Sequence, residues 1–235
     1  MNRLGEKIAG LIRAAGPISV ADYMAICLFD PDDGYYTTRE PFGAKGDFVT
    51  APEVSQMFGE LVAVWLIEAW RAGGKPMRPT IAEIGPGRGT LMRDMVRTIG
   101  KIAPELATKA GFALIEASPR LTAVQRETLR DSGPAFVWHA TPDTLPSGPL
   151  FIVGNEIFDA LHFRQFVRHE GKWLERAIGL DAQGAFQFGI GTASLAPESL
   201  PVKTKDAPDG SIFEIAPARE ALMSTVSSRM RWFPS

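Results

Sequence analysis

A short apolar run leads directly into three closely spaced glycines over residues 80–90, Thr80-Ile81-Ala82-Glu83-Ile84-Gly85-Pro86-Gly87-Arg88-Gly89-Thr90. The apolar part predicts a buried strand, and the spacing of the apolar residues that follow predicts a helix over about 92–99. A second strand, Phe112–Ile115, then ends in Glu116. This order of elements predicts two parallel strands joined by a crossover, because the helix must be buried against a face of the sheet.

The same alternation continues beyond Glu116. Ser118-Pro119 is typical of a helix start, with serine as the N-cap and proline in the first turn, and Gly133-Pro134 ends that helix. Two more strands follow, over Ala135–Trp138 and Leu150–Val153. We therefore predict an α/β fold with a doubly wound parallel sheet.

The spacing of the glycines separates two classes of cofactor. A dinucleotide-binding turn has the pattern G-x-G-x-x-G, which requires glycine at position 90, where this sequence has Thr90. Glu83 would repel a pyrophosphate, but it could pair with the ammonium group of S-adenosylmethionine, which carries no phosphate. The carboxylate at position 116 suits the ribose hydroxyls of either cofactor. The pattern predicts a class I methyltransferase-like core that binds S-adenosylmethionine. The predicted cofactor-binding residues in this core are Glu83, Gly85, Gly87, Gly89 and Glu116.

Polar side chains also follow the fourth strand. The segment Val153–Asp159 places Asn155 and Glu156 at the carboxyl end of that strand, where sheets of this kind bind their ligands. The two groups could simply cap the next turn. Beside a cofactor pocket, however, this position faces the transferable methyl group, so we predict that Asn155 and Glu156 carry the chemistry.

The N-terminal part of the chain is predicted to be helical. Leu4, Ile8, Leu11 and Ile12 share one face of an opening helix, which favours a packed helix over a transit peptide. Ser19 begins a short second helix. Nine apolar residues then recur at helical spacing and predict a long helix with one buried stripe, namely Val54, Met57, Phe58, Leu61, Val62, Trp65, Leu66, Ala69 and Trp70.

A polar segment of about fourteen residues precedes this long helix and carries Asp47, Thr50 and Glu53. A connector of this length tends to be functional or mobile. Alternatively, Thr50 or Glu53 caps the helix and the segment is a surface loop. The pattern alone leaves both interpretations open.

The apolar period changes to that of strands after residue 161. Short strands are predicted over 163–167, 173–178 and 185–188. We expect them to form a β-hairpin insertion over about 162–212 that could cover the substrate cleft. A last helix begins at Pro217.

These elements predict two domains. Residues 1–75 form an N-terminal helical cap with a covering loop, and residues 76–235 form a Rossmann-like core that contains the insertion. A full class I methyltransferase sheet has seven strands, whereas this sequence accounts for four, so the fourth strand would have an unpaired edge. We expect the remaining strands to be missing from this chain; the alternative is a partner that covers the edge.

Composition excludes several classes of protein. The 25 Lys and Arg nearly balance the 27 Asp and Glu, which argues against a nucleic-acid partner. A single cysteine, Cys27, and three histidines predict neither an intramolecular disulfide nor a zinc site. The longest apolar run, residues 61–67, is too short to span a membrane, and no signal peptide is apparent. We expect a soluble protein of a reducing compartment.

Four blocks of sequence together resemble the mitochondrial complex I assembly-factor family of class I protein arginine methyltransferases, also called MidA-like. These blocks are D-D-G-Y-Y at residues 32–36, G-D-F-V-T-A-P-E at 46–53, E-I-G-P-G-R-G-T at 83–90 and G-N-E-I-F-D-A-L at 154–161. The second and fourth blocks are specific, whereas the glycine block matches many unrelated methyltransferases.

The resemblance implies S-adenosylmethionine as the methyl donor and symmetric dimethylation of an arginine on a respiratory complex I subunit. The residues at 83–89 would hold the methionine end of the donor and Glu116 its ribose. The loop 46–53, with Thr50 and Pro52, would close over the pocket. In the mechanism that we predict, Glu156 binds the guanidinium, Asn155 positions it, and Glu53 or Asp47 supplies a second carboxylate.

Other assignments stay open on the sequence. A non-catalytic assembly or chaperone-like module could keep the cofactor pocket without the chemistry, and an NAD-dependent enzyme is disfavoured by Thr90 and Glu83. An amine or oxygen nucleophile other than arginine would use the same alignment chemistry. We expect a protein substrate and no membrane span, and a homodimer stays open. The compartment would be the cytoplasm for a bacterial chain and the mitochondrial matrix for a eukaryotic one.

Overall fold

The computed structural model describes residues 1–38, 50–196, 200–201, 204 and 206–229. Contacts along the chain divide it into two compact units. The first unit comprises Met1–Arg39 and Phe158–Ala221, and the second comprises Glu40–Ile157 and Leu222–Ser235.

The described residues form the following helices and strands. The helices are α1 (Arg3–Ala15), α2 (Val20–Phe29), α3 (Tyr35–Thr38), α4 (Ala51–Val54), α5 (Gln56–Ala72), α6 (Thr90–Ile102), α7 (Pro104–Lys109), α8 (Pro119–Leu129) and α9 (Pro217–Arg229). The strands are β1 (Ile18–Ser19), β2 (Thr80–Ile84), β3 (Gly111–Ile115), β4 (Phe136–His139), β5 (Leu150–Gly154), β6 (Arg164–His169), β7 (Lys172–Leu180), β8 (Phe186–Ser194) and β9 (Ile212–Ile215). Two short 3-10 helices cover Pro142–Thr144 and Ile157–Ala160.

The second unit contains a parallel four-stranded sheet in the order β4-β3-β2-β5. All five residues of β2 are buried, because the strand lies between β3 and β5 with helices on both faces of the sheet. On one face Ile81 packs in a cluster with α5 and α6, and on the other Ile84 packs with Leu222 and Val226 of α9. The predicted α/β fold with a parallel sheet is confirmed.

The long helix α5 packs through a face that overlaps only in part with the predicted stripe. Its buried residues are Gly59, Ala63, Leu66, Ile67 and Trp70. Four residues of the predicted stripe are 59% to 68% exposed, namely Val54, Met57, Leu61 and Trp65. The small residues turn towards α6 because the two helices approach closely: a Cβ added at Gly59 would lie 2.7 Å from the Cβ of Asp94. The helix is confirmed and the predicted stripe is confirmed in part: Leu66 and Trp70 are buried and Phe58 and Val62 pack against the core cluster, whereas burial of the four exposed residues was a wrong prediction.

The first unit contains a five-stranded antiparallel sheet, which is larger than the predicted hairpin. The three predicted strands are present as β6, β7 and β8. Two further strands join them from distant parts of the chain, with Ile18 of β1 opposite Ile178 and Ile215 of β9 opposite Arg164. Helices α1 and α2 pack against this sheet through a buried cluster that includes Ile8. The packed opening helix is confirmed.

The predicted boundary between residues 75 and 76 stays a prediction. In the structure, α5 packs against α6 of the second unit, and the strands after Phe158 belong to the same unit as α1 and α2. No helix in the described part of the chain is both long enough and apolar enough to cross a membrane.

Candidate active site

The turn after β2 takes a conformation that favours glycine. Gly85, Gly87 and Gly89 have φ angles of 63°, 54° and 84°, in the left-handed region where a side chain is strained. A Cβ added at Gly85 would also lie 2.6 Å from the Cδ1 of Ile157. The N–H of Gly89 donates to the carbonyl of Pro86 at 2.7 Å and closes the turn. A turn of this kind leaves the backbone open to the close approach of a ligand.

Glu83, the fourth residue of β2, is a buried carboxyl with one oxygen unused. Its side chain is 2% exposed. The carboxyl accepts a hydrogen bond from the backbone N–H of Met92 in the first turn of α6, while Oε2 has no hydrogen-bond partner among the described residues. Burial raises the pKa of Glu83 to about 8, although the hydrogen bond from Met92 acts in the opposite direction. Such a group can receive a cation that a ligand brings into the protein.

Glu116 follows β3 and is held by its neighbours. Its Oε1 accepts a hydrogen bond from the N–H of Ser118 at 2.8 Å, and its Oε2 accepts one from the Nε2 of Gln125 at 3.1 Å. Partial burial raises the pKa of Glu116, and these two hydrogen bonds together with the charge of Arg120 oppose the rise. Each oxygen keeps a second lone pair, so the carboxylate can accept two further hydrogen bonds from neighbouring hydroxyls.

Gln125 of α8 links Glu116 to the glycine turn, a contact that the sequence analysis missed. Its Nε2 also donates to the carbonyl of Gly87 at 2.9 Å, and the side chain is completely buried. One signal was available. Leu121, Gln125 and Leu129 are spaced by four residues and share one helical face, so a polar residue occupies a position that faces the core.

Asn155 and Glu156 follow β5 next to the glycine turn, since the adjacent Ile157 contacts Gly85. Glu156 has a φ of 55°, a left-handed conformation that costs about 1–2 kcal/mol in a residue other than glycine. Its side chain is exposed, whereas Asn155 is half-buried. Strained backbone is concentrated at functional sites. Glu156 therefore offers an accessible carboxylate beside the turn.

Glu53 is bonded to the start of α6. Its Oε1 accepts a hydrogen bond from the Thr90 hydroxyl at 2.8 Å, and its Oε2 lies 3.8 Å from the Nη1 of Arg88. The carboxylate thus joins α4 to the end of the glycine turn. In this arrangement it is engaged by two partners rather than free for a substrate.

Thr50 and Pro52 belong to the same short helix. Thr50 is the N-cap of α4, where its carbonyl accepts a hydrogen bond from the N–H of Glu53 at 2.8 Å. Pro52 stands in the first turn and lines a surface hollow of about 240 Å³ with residues of α6. The long helix α5 is capped by Ser55, so the alternative in which Thr50 or Glu53 caps that helix is wrong. Asp47 lies outside the described residues.

These residues fit S-adenosylmethionine. The unpartnered oxygen of Glu83 suits the ammonium group, the glycine turn leaves room for the amino-acid end, and Glu116 has lone pairs for the ribose hydroxyls. Among the described residues no group of His, Cys, Asp and Glu is placed to hold a metal ion.

A parallel sheet with this glycine turn, a carboxylate after β3 and a polar pair after β5 defines the methyltransferase class of α/β proteins. Residues 61–232 match a family profile described as "Putative S-adenosyl-L-methionine-dependent methyltransferase". The match covers more than half of the chain, and the chain belongs to this family. S-adenosylmethionine, the cofactor predicted from the sequence, is the cofactor of this family.

The curated proteins that are similar to this chain are named as arginine methyltransferases. The Drosophila melanogaster "Protein arginine methyltransferase NDUFAF7 homolog, mitochondrial" is 34% identical over 86% of this chain and 50% of its own length. The proteins named "Protein arginine methyltransferase NDUFAF7, mitochondrial" from Danio rerio and Homo sapiens are 37% and 34% identical over 79% and 82% of this chain. The chain spans about half the length of these relatives. The family resemblance predicted from the four sequence blocks is confirmed.

A solved structure supports the same family. It is the crystal structure of a "COG1565 superfamily member and likely methyl transferase" from Burkholderia thailandensis, bound to S-adenosyl-homocysteine. It is 30% identical to this chain, with a TM-score of 0.80, and the similarity covers 96% of this chain and 59% of that protein.

Proposed function

We propose that this chain carries the cofactor site and the acceptor site of a protein arginine N-methyltransferase. The observation that carries the proposal is the exposed carboxylate of Glu156, held at a φ of 55° beside the glycine turn. Membership of the methyltransferase family and the names of the curated relatives support it.

The cofactor would lie along the carboxyl ends of β2 and β3. Glu83 would pair with its ammonium group, the backbone of Gly85, Gly87 and Gly89 would surround its amino-acid end, and Glu116 would accept hydrogen bonds from the ribose. Thr50 and Pro52 would belong to a cover over this pocket. When bound, S-adenosylmethionine supplies a methyl group on a positively charged sulfur, which is already a strong electrophile.

Glu156 would hold the methyl acceptor. A guanidinium stays protonated because its pKa lies far above neutral pH, and its charge makes it a poor nucleophile. A carboxylate can bind two of its N–H groups side by side, select one nitrogen for reaction and stabilise the charge that remains. Asn155 would position the acceptor with its amide, so that the selected nitrogen lines up with the methyl group.

A second carboxylate is part of the proposal. Glu53 could serve only after it leaves Thr90 and Arg88, whereas Asp47 is the other candidate on the same sequence block. Asp47→Asn and Glu53→Gln, each measured for transfer and for cofactor affinity, would distinguish the two.

Transfer of tritium from labelled S-adenosylmethionine to protein tests the proposal. Glu156→Gln should abolish transfer and leave the affinity for S-adenosylhomocysteine within about threefold, because in this proposal Glu156 holds the acceptor guanidinium and not the cofactor. Glu68→Gln, an exposed carboxyl on α5, is the matched control and should change neither quantity. An equal loss of transfer and affinity would move Glu156 into the cofactor site, and retained transfer would contradict its role.

We propose a subunit of respiratory complex I, or a similar protein, as the acceptor. The support is the name of the curated relatives, which are also named as mitochondrial. The chain would then act in the cytoplasm of a bacterial cell or in the mitochondrial matrix. Mass spectrometry of respiratory subunits from cells with and without this protein should reveal one arginine whose methylation is lost.

A non-catalytic cofactor-binding module is the second candidate function. The ion pair and hydrogen bond that occupy Glu53 favour it, because they leave Glu156 as the free carboxylate of the predicted pair within the described residues. A chain that binds S-adenosylhomocysteine yet transfers no tritium to any protein of its own cell extract would support this candidate.

A further inference from the structure

The buried side chain of Gln125 forms three hydrogen bonds to three different segments of the second unit. Its Nε2 donates to the carbonyl of Gly87 at 2.9 Å and to Oε2 of Glu116 at 3.1 Å. Its Oε1 accepts a hydrogen bond from the indole Nε1–H of Trp138 on β4 at 3.0 Å. Both N–H groups and the carbonyl oxygen of the amide are therefore used.

The chemistry of the partners fixes the orientation of this amide. An indole N–H can only donate, whereas a carbonyl and a carboxylate can only accept. Rotating the amide by 180° would place N–H against N–H and oxygen against oxygen. The guanidinium of Arg126 lies 4.0 Å from the centre of the Trp138 ring and helps to hold that ring in place.

The glycine turn rests directly on Gln125. A Cβ added at Gly89 would lie 3.6 Å from both the Cα and the Cγ of Gln125, which is ordinary packing distance. The side chain thus packs against the glycine turn and also donates a hydrogen bond to the carboxylate of Glu116, which follows β3. A single buried amide thus contacts the segments that follow β2 and β3.

We propose that Gln125 is a positioning residue for the cofactor: it fixes the Gly87 carbonyl and the Glu116 carboxylate relative to each other, so that one ligand can contact both segments. This inference rests on the proposed cofactor site. Removing the amide would break the hydrogen bonds to Gly87 and to Glu116 together. Gln125 can act in this way without touching the ligand.

Calorimetric titration with S-adenosylhomocysteine tests the proposal. Gln125→Met fills a similar volume without hydrogen bonds, and we expect at least a tenfold loss of affinity, as for hydrogen bonds to charged groups. Trp138→Phe is the matched control, because it removes the bond to Oε1 and keeps both bonds from Nε2. Its affinity should stay within about threefold of the wild-type value.

The pH dependence of affinity separates positioning from a purely structural role. Gln125 donates to the ionised form of Glu116 and so opposes the rise of its pKa. In Gln125→Met the decline of affinity at low pH should therefore begin at a higher pH than in the wild type, and in Trp138→Phe it should not move. Arg120, which also acts on Glu116, and the buried carboxyl of Glu83 are unchanged in both variants.

The outcomes are distinct. No binding by the wild type would refute the proposed function itself, whereas wild-type binding with unchanged affinity and pH dependence in Gln125→Met would overturn the role of Gln125. If circular dichroism shows Gln125→Met to be unfolded, Gln125→Glu serves instead, since it keeps the size and the contact with Trp138. An affinity of Gln125→Glu within threefold of wild type, or failure of both variants to fold, would assign the amide to the fold alone and overturn the proposal.

Discussion

Replacing Glu83 by glutamine should change how stability depends on pH. The carboxyl is buried in β2, its pKa is about 8, and its ordinary value is 4.5. Below pH 4.5 the group is protonated in the folded and the unfolded chain, so its full contribution to stability is present. Between pH 4.5 and 8 the unfolded chain releases a proton that the folded chain keeps, and stability is lost as the pH rises.

The size of the effect follows from the two pKa values. One pKa unit corresponds to about 1.4 kcal/mol. The free energy of unfolding should fall by about 3 kcal/mol between pH 4.5 and pH 7, and by about 5 kcal/mol once the pH exceeds 8. Glutamine cannot ionise, yet its amide oxygen can still accept the hydrogen bond from Met92. Glu83→Gln should lose this part of the pH dependence.

Denaturation by urea at pH 5, 6, 7, 8 and 9 provides the measurement, with the free energy of unfolding extrapolated to water at each pH. The difference between Glu83→Gln and the wild type should grow by several kcal/mol in favour of the variant from pH 5 to pH 9. Glu156→Gln, which replaces an exposed carboxyl, is the control and should run parallel to the wild type. Parallel curves for Glu83→Gln and the wild type would refute the buried, protonated carboxyl.

Two further predictions concern the backbone of the site. Glu156→Gly should raise the free energy of unfolding by about 0.5–1 kcal/mol, because glycine adopts the left-handed conformation without strain, whereas Glu156→Ala should not raise it. Methyl transfer should be lost in both variants. A lower free energy of unfolding in Glu156→Gly would contradict the inferred backbone strain. Gly85→Val should abolish the binding of S-adenosylhomocysteine measured by calorimetry, because the added side chain would collide with Ile157. Gly74→Val is the control and should bind normally, because Gly74 also has a positive φ, of 77°, but has open space around it. Normal binding by Gly85→Val would remove the turn from the cofactor site.

The parallel sheet was predictable because its strands are short apolar runs with clear ends. Thr80–Ile84 is bounded by Gly85, and Phe112–Ile115 by Glu116, so local pattern and tertiary position agree. The same holds for the start of the second helix, where the Ser19 hydroxyl accepts a hydrogen bond from the N–H of Asp22 at 3.0 Å. Strand ends and helix caps of this kind depend on neighbouring residues in the sequence, so they can be predicted from the sequence alone.

The packing of α5 and the second sheet could not be predicted in the same way. A helix with apolar residues on two faces does not reveal which face is buried, and here the contact of Gly59 with α6 selects the face with small residues. The pairing of Ile18 with Ile178 joins residues that are far apart in sequence. Period and propensity carry no information about such a partner.

Hydrogen bonds between side chains of different elements were also not predictable from the sequence. Glu53 was predicted, with Asp47 as the alternative, to supply a second carboxylate, and its contacts with Thr90 and Arg88 were not predicted because they arise where α4 lies on the start of α6. The capping of α6 by Glu83 was missed because the carboxyl comes from a strand rather than from the residue before the helix. These contacts depend on how elements meet in space.

A crystal structure of this chain with S-adenosylhomocysteine is the decisive test of the proposed cofactor and acceptor sites. We expect electron density for the ligand on the turn 85–89, with its amino group towards Glu83, its ribose hydroxyls on Glu116, and its sulfur on the side of Glu156. Density at any other place, or a Glu156 carboxylate that points away from the sulfur, would contradict the proposed sites.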